Sequence, residues 1–343
     1  MKKNITILLV CLLSLFAAFP AFSATDKGII KIAHSQKEND LFEDHYKAMT
    51  AVFKQVVERD TQGRFKVQTF PNMQLGDLRS MLEQCQKGMI QITTGQSIGN
   101  LAAYQPDLNL FETPFLFRDQ VAVVETFRSP IGQSMVESLA KDKGLRILGI
   151  MPAGMRCFSN NVRPITKPED MKGLKMRTME IPVYIKMMEA LGASATPVSW
   201  GELYTACQTG VVDGQENAPN TMILASLQEV QKYYTLDNHT ANIVCFNINE
   251  KFYQSLSPAD RKTIDRATKL ALESFMGLVN AKESRDIAFL ATKMQITALT
   301  PQQMDKFKQA CMPSVLEYLK KEVGADKVEK FVKQVEEINK KIY

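Results

Sequence analysis

Histidine and tryptophan are scarce: the 343 residues include three histidines, His34, His45 and His239, and one tryptophan, Trp200. No histidine stands at metal-ligand spacing from a cysteine or another histidine, so the pattern offers no zinc-type site. No nucleophile elbow, phosphate loop or dinucleotide fingerprint is expected. Glu216 has the chemistry of a general base, but no partner for it is visible in the sequence. Nothing therefore points to an enzyme, a resident cofactor or a metal. Neither sign of charge dominates, with 42 Lys and Arg against 37 Asp and Glu, which excludes the strong basic footprint of a nucleic-acid binder.

Only one long apolar run exists, and it is N-terminal. Lys2 and Lys3 precede an apolar stretch from Ile5 to Ala18, Pro20 breaks it, and Ala21-Phe22-Ser23 places small residues where a signal peptidase cuts. A membrane helix needs roughly 20 apolar residues, and this core is shorter, so residues 1–23 read as a cleaved secretory signal and the mature chain as periplasmic. Cys11 follows Leu-Leu-Val, which lacks the small residue expected before a lipidated cysteine. Loss of Lys2 and Lys3 lowers the basic count from 42 to 40, so 40 − 37 leaves a net charge of +3. Five cysteines remain, Cys85, Cys157, Cys207, Cys245 and Cys311; an odd, widely spaced set reads as buried free thiols rather than a disulfide framework.

The mature chain reads as α/β. Ile29 to His34 is a strand, followed by a helix capped by Asn39 or Asp40 with Phe42, Tyr46, Met49, Phe53 and Val56 on one face. Phe65, Val67 and Thr69 alternate as a second strand, Asp77 opens a helix through Cys85, and Met89 to Ile92 is strand-like. Arg146 to Met151 is a further strand, giving a largely parallel β-α-β-α-β order. The theme returns with a strand at Leu174 to Arg177, a helix from Pro182 to Gly192, a Ser199/Glu202 capping box opening a helix through Cys207, and a strand from Val211. Cys85-Gln-Lys-Gly-Met-Ile echoes Cys207-Gln-Thr-Gly-Val-Val. Either any helix stopped by glycine looks like this, or two related lobes aim strand ends at one cleft. The second reading places Thr94, Gln96, Gln215 and Asn217 there. Asn242 to Asn249 is a strand, and Ser257-Pro258 starts a helix of about 33 residues, roughly 50 Å long and enough to brace two lobes. Thr300 caps another helix, and the amphipathic tail from Ala325 either folds back or mediates dimerisation, with its lysines on a solvated face.

Arg177 leaves a strand in a segment rich in neutral hydrogen-bonding groups, a way to present one fixed cation to a small anion. Its guanidinium forms a planar fork matched to a carboxylate. Gly173-Leu-Lys-Met-Arg177, Glu202-x-Tyr204 and Gln208-x-Gly-Val-Val-Asp-Gly-Gln-Glu-Asn217 together resemble the TRAP-transporter solute-binding proteins of the DctP type. Gln74-Leu-Gly-Asp77, Gly154-Met-Arg156 and Arg163-Pro164 add to a resemblance covering about residues 28 to 320.

That resemblance implies a periplasmic receptor of two α/β lobes with crossing hinge strands and a long helix along both. Lobe I would hold residues 24–152 plus about 243–282, lobe II residues 153–242 plus about 283–320, and residues 321–343 a C-terminal helix. It implies hinge closure over a small organic acid and delivery to a membrane permease driven by an ion gradient. A periplasmic sensor feeding a membrane kinase or chemoreceptor is the alternative. By position Arg177 is the main carboxylate-binding residue, Arg156 assists or pairs with an acid, Asn217 is a carboxylamide contact, Trp200 packs on the ligand or in the core, and Gln96 is a polar selector. Gln215 joins Asn217 at the strand end. Glu180 either contacts a ligand hydroxyl or amine, or simply favours the following helix N-terminus. Tyr204 and Cys207 read as core, and Asp213 and Gly214 as turn-formers. The identity of the acid, monomer or dimer, and any bridging metal stay open.

Overall fold

The computed structural model describes residues 28–342, apart from 39 and 42, so the expected signal segment and Phe42 lie outside the described residues. The first half runs β1 (Ile29–His34), α1 (His45–Asp60), β2 (Lys66–Phe70), α2 (Leu78–Gln86) and β3 (Ile92–Ser97). Two 3-10 turns then lead to α3 (Gln120–Arg128) and α4 (Pro130–Lys143), helices that the sequence reading passed over. Strand β4 (Leu145–Asn160) extends well past the expected Met151. The second half holds β5 (Lys175–Thr178), α5 (Pro182–Ala190), β6 (Ser194–Pro197), α6 (Leu203–Gln208), β7 (Gly214–Asn217) and α7 (Pro219–Leu224). Next come β8 (Tyr233–Asn249), α8 (Glu250–Ser255), α9 (Pro258–Ala291), β9 (Gln295–Ala298), α10 (Pro301–Val323) and α11 (Ala325–Lys341).

The sheet order is β2-β1-β3-β8-β4-β7-β5-β6, with β9 added alongside β8. From either end the pattern is the same: an outer parallel trio, then one long antiparallel strand. The long strands β4 and β8 pair with each other and run through both halves, so the sheet is not the largely parallel one expected from the β-α-β-α-β order. The echo in the sequence is structural. Helices α2 and α6 carry buried Cys85 and Cys207 as their penultimate residues, each is followed by a left-handed glycine (Gly88, φ 77°; Gly210, φ 75°), and Ile32 pairs with Ile92 as Met176 pairs with Gly214. Ala33 therefore occupies the place in the first half that Arg177 occupies in the second.

Several local expectations shift for physical reasons. Asp44 rather than Asp40 caps α1, accepting from the Tyr46 and Lys47 amides; the other expected cap, Asn39, lies outside the described residues. Ser199 donates its hydroxyl to the Glu202 carboxylate instead of closing a capping box, and a 3-10 turn (Trp200–Glu202) precedes α6. Val211 and Val212 lie in the turn before β7, His239 sits on β8 rather than in a loop, and β3 begins only at Ile92. The Thr300/Gln303 capping box does form. All five described cysteines are buried and free.

Helix α9, 34 residues long, packs on α1 and β4 in one half and on α7 and β9 in the other, as a brace for both. The α1–α9 face covers one apolar core (Ile32, Phe53, Phe246, Phe275), and α6, α7 and the end of α9 cover another (Leu203, Met222, Tyr234, Leu290). The largest core is continuous across both halves, from Leu82 and Leu139 through Met176 and Tyr184 to Phe331. Helix α11 closes it. Gly324 interrupts α10–α11, and Val328, Phe331, Val335 and Ile338 turn inward against α3 and α10. The tail thus folds back onto its own chain. The Phe331 ring meets Phe111 edge-on at 5.1 Å and Phe117 at 6.2 Å. Phe331→Ala is expected to cost about 3–5 kcal/mol of stability, since a fully buried aromatic leaves a cavity; urea denaturation followed by circular dichroism measures it.

Candidate ligand-binding site

The carboxyl ends of the parallel strands of both halves face one cavity of about 880 Å³. From the first half, Ser35 and Gln36 follow β1, and Gly95 and Ser97 lie at the end of β3. From the second, Arg177 and Met179 stand at the end of β5 and Asn217 at the end of β7. The crossing strands form the floor through Ala153, Arg156, Asn242 and Val244. Two glycines permit this shape. Gly154 (φ 89°) sits where the β4–β8 register shifts, and a Cβ on Gly95 (φ 96°) would stand 2.8 Å from Ser35 Oγ.

The two arginines are in opposite states. Arg156 is buried and ion-paired: its Nε and Nη2 grip the two Glu216 carboxylate oxygens (Nη2 at 2.7 Å), Nη2 also donates to the Glu216 carbonyl at 2.8 Å, and Nη1 donates to Asn242 Oδ1 at 3.2 Å. Its guanidinium lies 5.5 Å from the Tyr184 ring centroid. Arg177 is 2% exposed, yet no carboxylate among the described residues lies within ion-pair distance of it. Its Nε donates to the Val198 carbonyl at 2.9 Å, and its Nη1 has no hydrogen-bond partner. Burial pushes this guanidinium down to about 10, partly opposed by Glu216 and reinforced by Arg156. Strand alternation separates the two roles: Arg177 and Asn217 point to the cavity, while Glu216, one residue before Asn217, faces Arg156.

Glu216 has the partners that the sequence hid. Besides Arg156 it meets His239 Nε2 at 3.2 Å, and His239 Nδ1 meets Asp237 at 2.7 Å, with the ring stacked on Phe158 at 4.3 Å. Burial opposes ionisation of Glu216, but Arg156 and His239 overcome it and hold the carboxyl at about 2. Burial likewise works against the His239 cation, and Asp237 and Glu216 reverse it, raising the imidazole to about 9. Behind the wall, Glu112 accepts from Ser97 Oγ, from the Gly99 amide at 2.8 Å and from Tyr184 Oη at 2.7 Å, with burial raising its carboxyl above the ordinary range.

Of the remaining sequence-predicted residues, Trp200 and Glu180 line the cavity, Trp200 half-buried and Glu180 exposed. Gln215 does not reach it. It lies one layer deeper, accepting from Asn217 Nδ2 at 2.6 Å and donating to Ser159 Oγ at 2.6 Å, so it fixes the Asn217 amide. Gln96 also turns away: as the neighbour of cavity-facing Gly95 and Ser97 it falls on the opposite side of β3, donating to Thr93 Oγ1 (3.0 Å) and the Leu78 carbonyl (3.2 Å). Thr94 shares that fate. Cys207 is core, whereas Tyr204 is half-buried and reaches Glu229 at 3.1 Å. The wall residues that pattern reasoning missed are Ser35, Ser97, Asn109, Thr221 and Asn242. They are short neutral side chains without a motif of their own, although strand parity marks Ser97 once Gly95 is placed.

Gly95-Gln-Ser-Ile-Gly99 does have the Gly-x-Ser-x-Gly spacing of a nucleophile elbow, an exception to the expectation above. Its environment is wrong for one: Ser97 Oγ donates to Glu112, and among the described residues no histidine is hydrogen-bonded to it. No His, Cys, Asp and Glu cluster among the described residues has the makings of a metal site.

Glu216→Gln is expected to destabilise the fold by about 3–5 kcal/mol at neutral pH, because it strands a buried Arg156 cation. The depressed Glu216 makes its full contribution above its ordinary 4.5 and loses it as pH falls towards about 2. The elevated His239 contributes fully below its ordinary 6.5 and loses that contribution as pH rises through about 9. Guanidinium unfolding across pH is therefore expected to show decline on both limbs, with the acid limb reduced in the Gln variant.

The family model for bacterial extracellular solute-binding protein, family 7 (DctP), matches residues 32–322. A solute-binding protein of Verminephrobacter eiseniae is 36% identical over 241 residues, covering 70% of this chain and 71% of the relative. A TRAP periplasmic solute-binding protein from Polaromonas sp. JS666, solved with D-erythronate, is 31% identical with a TM-score of 0.81, covering 89% of this chain and 98% of that one. Another from Shewanella oneidensis, solved with succinate, is 28% identical with a TM-score of 0.83, covering 90% and 98%. With its fold, its cleft and its sequence in agreement, the chain belongs to the DctP family of TRAP-transporter solute-binding proteins, which are binding proteins and not enzymes.

Proposed function

We propose that this protein is an exported receptor, periplasmic after loss of residues 1–23, that captures one small organic carboxylate between two lobes and delivers it to a TRAP permease driven by an ion gradient. The lobes are residues 24–152 with about 243–282, and 153–242 with about 283–320. The observation that carries this reading is the buried guanidinium of Arg177, which lines the cavity with Nη1 unpartnered and without a carboxylate at ion-pair distance among the described residues. Keeping a cation buried and uncompensated is costly, and an arriving carboxylate removes the cost. Both D-erythronate and succinate, held by the solved relatives, present such a group.

In this reading Asn217, held by Gln215, and Asn242, held by Arg156 and Thr221, supply hydrogen bonds from fixed positions, while Trp200 gives an apolar wall. Arg156 acts through Glu216 and Asn242 rather than as a second free grip. Closure would bring Ser35, Gln36 and Ser97 of the first lobe onto a ligand already held by Arg177 in the second, drying the cleft and strengthening the ion pair. The crossing strands β4 and β8, with glycine at the register shift, are suited to act as the hinge, and the closed form is the state a permease would read. Micromolar to nanomolar binding requires about 8–12 kcal/mol, and one charge-assisted pair contributes about 1.5–3 kcal/mol, so the neutral groups and Trp200 must supply most of it.

Arg177→Ala is expected to lower affinity for whichever carboxylate stabilises the wild type by about 10–100-fold or more, and Arg177→Lys to restore only part of it because the fork is lost. Titration calorimetry reads the effect, and wild-type affinity in the alanine variant would refute the assignment.

A further inference from the structure

We propose that the cognate ligand carries a single carboxylate on a hydroxylated skeleton, and that the site rejects a second carboxylate, with Glu180 as a rejecting group. This inference rests on the receptor reading above and sharpens it. Its first support is the charge inventory of the wall. Four Arg and Lys side chains line the cavity, Arg79, Lys87, Arg156 and Arg177, and His45, which also lines it, is held neutral because burial lowers its imidazole to about 3. The Arg156 charge is spent on a bidentate pair with Glu216. Arg79 lies on the exposed face of α2 and pairs with Glu83 at 3.2 Å, and Lys87 is exposed at the end of the same helix. That leaves Arg177 as the single buried cation on the wall without a carboxylate partner. A second ligand carboxylate buried in the cavity would be stripped of water with no buried cation to receive it, and such desolvation outweighs neutral hydrogen bonds.

The second support is what else the wall offers. Two lining residues carry a buried polar atom with no partner: Arg177 Nη1, a cationic donor, and Asn109 Oδ1, a neutral acceptor. Their complement is an anionic acceptor together with a hydroxyl donor, which a hydroxy acid supplies in one molecule. Ser35, Ser97, Asn217, Thr221 and Asn242 extend the neutral lining. Glu180 adds repulsion. It stands three residues after Arg177, lines the same cavity and makes no ion pair among the described residues, so a ligand with two carboxylates would bring a like charge towards it. Like charges brought together at a recognition site disfavour the ligand that carries the second one.

The test uses matched acids. C4 and C6 aldonates, each paired with the aldarate that has the same stereochemistry but a carboxylate in place of the terminal CH2OH, are titrated into the mature protein by calorimetry at neutral pH. The best-bound aldonate is expected to bind at least about tenfold more tightly than its aldarate, and Glu180→Gln to narrow that gap. An aldarate, or succinate, binding as tightly as the best aldonate would overturn the single-carboxylate rule. A gap left unchanged by Glu180→Gln would overturn the role of Glu180. Failure of every carboxylate, mono- or di-, would instead overturn the receptor reading itself, so the two failures are distinguishable.

Discussion

The buried pair between Arg156 and Glu216 decides how the rest of the cleft works. It ties β4 to β7 where the long strands cross the floor of the cavity, and it is backed by His239 and Asp237. Because Glu216 is committed to Arg156, the guanidinium of Arg177 faces the cavity without a carboxylate of its own. One arginine is thereby part of the framework, and the other is the one the proposed function makes the grip. The protein itself offsets the desolvation cost of the first cation, and in the proposed function an arriving carboxylate relieves that of the second.

The architecture explains why this imbalance occurs in only one half. The sheet is close to a palindrome, with a parallel trio at each end and two antiparallel strands between. Equivalent positions can therefore be compared. Where the second half has Arg177, the first has Ala33, and the first half contributes short neutral groups at its strand ends. The unpaired buried cation of the cavity thus comes from one half only, the asymmetry on which the proposed order of capture and closure rests. Helix α9 and the continuous core under α10 and α11 span both halves alongside the crossing strands.

Much of this was readable in the residues. The β-α-β theme, the long bracing helix, the capped α10 and the amphipathic face of α11 all follow from hydrophobic period and capping chemistry, although whether that face folds back did not. The segments that escaped notice were mostly short or weakly patterned: β6, β9, α7, α8 and the α3–α4 pair. Strand ends were harder, because a strand pattern interrupted by Gly154 and by shifts in register does not reveal that β4 continues to Asn160. Gln96 and Gln215 show the limit most clearly. Both are amides at strand ends near the cleft, yet parity turns one to the far side of β3 and depth places the other behind Asn217.

The sequence by itself determined the α/β class, showed the echo between the two halves, and singled out Arg177 as the candidate anion grip, because these depend on local period, residue type and spacing. Only the tertiary structure decided which charges cancel. That Arg156 is paired with Glu216, that Glu216 has His239 for a neighbour, and that Asn109 and Asn242 join the wall are facts of residues distant in sequence. Pairing energy depends on separation and burial in space, and neither is written in the order of the chain.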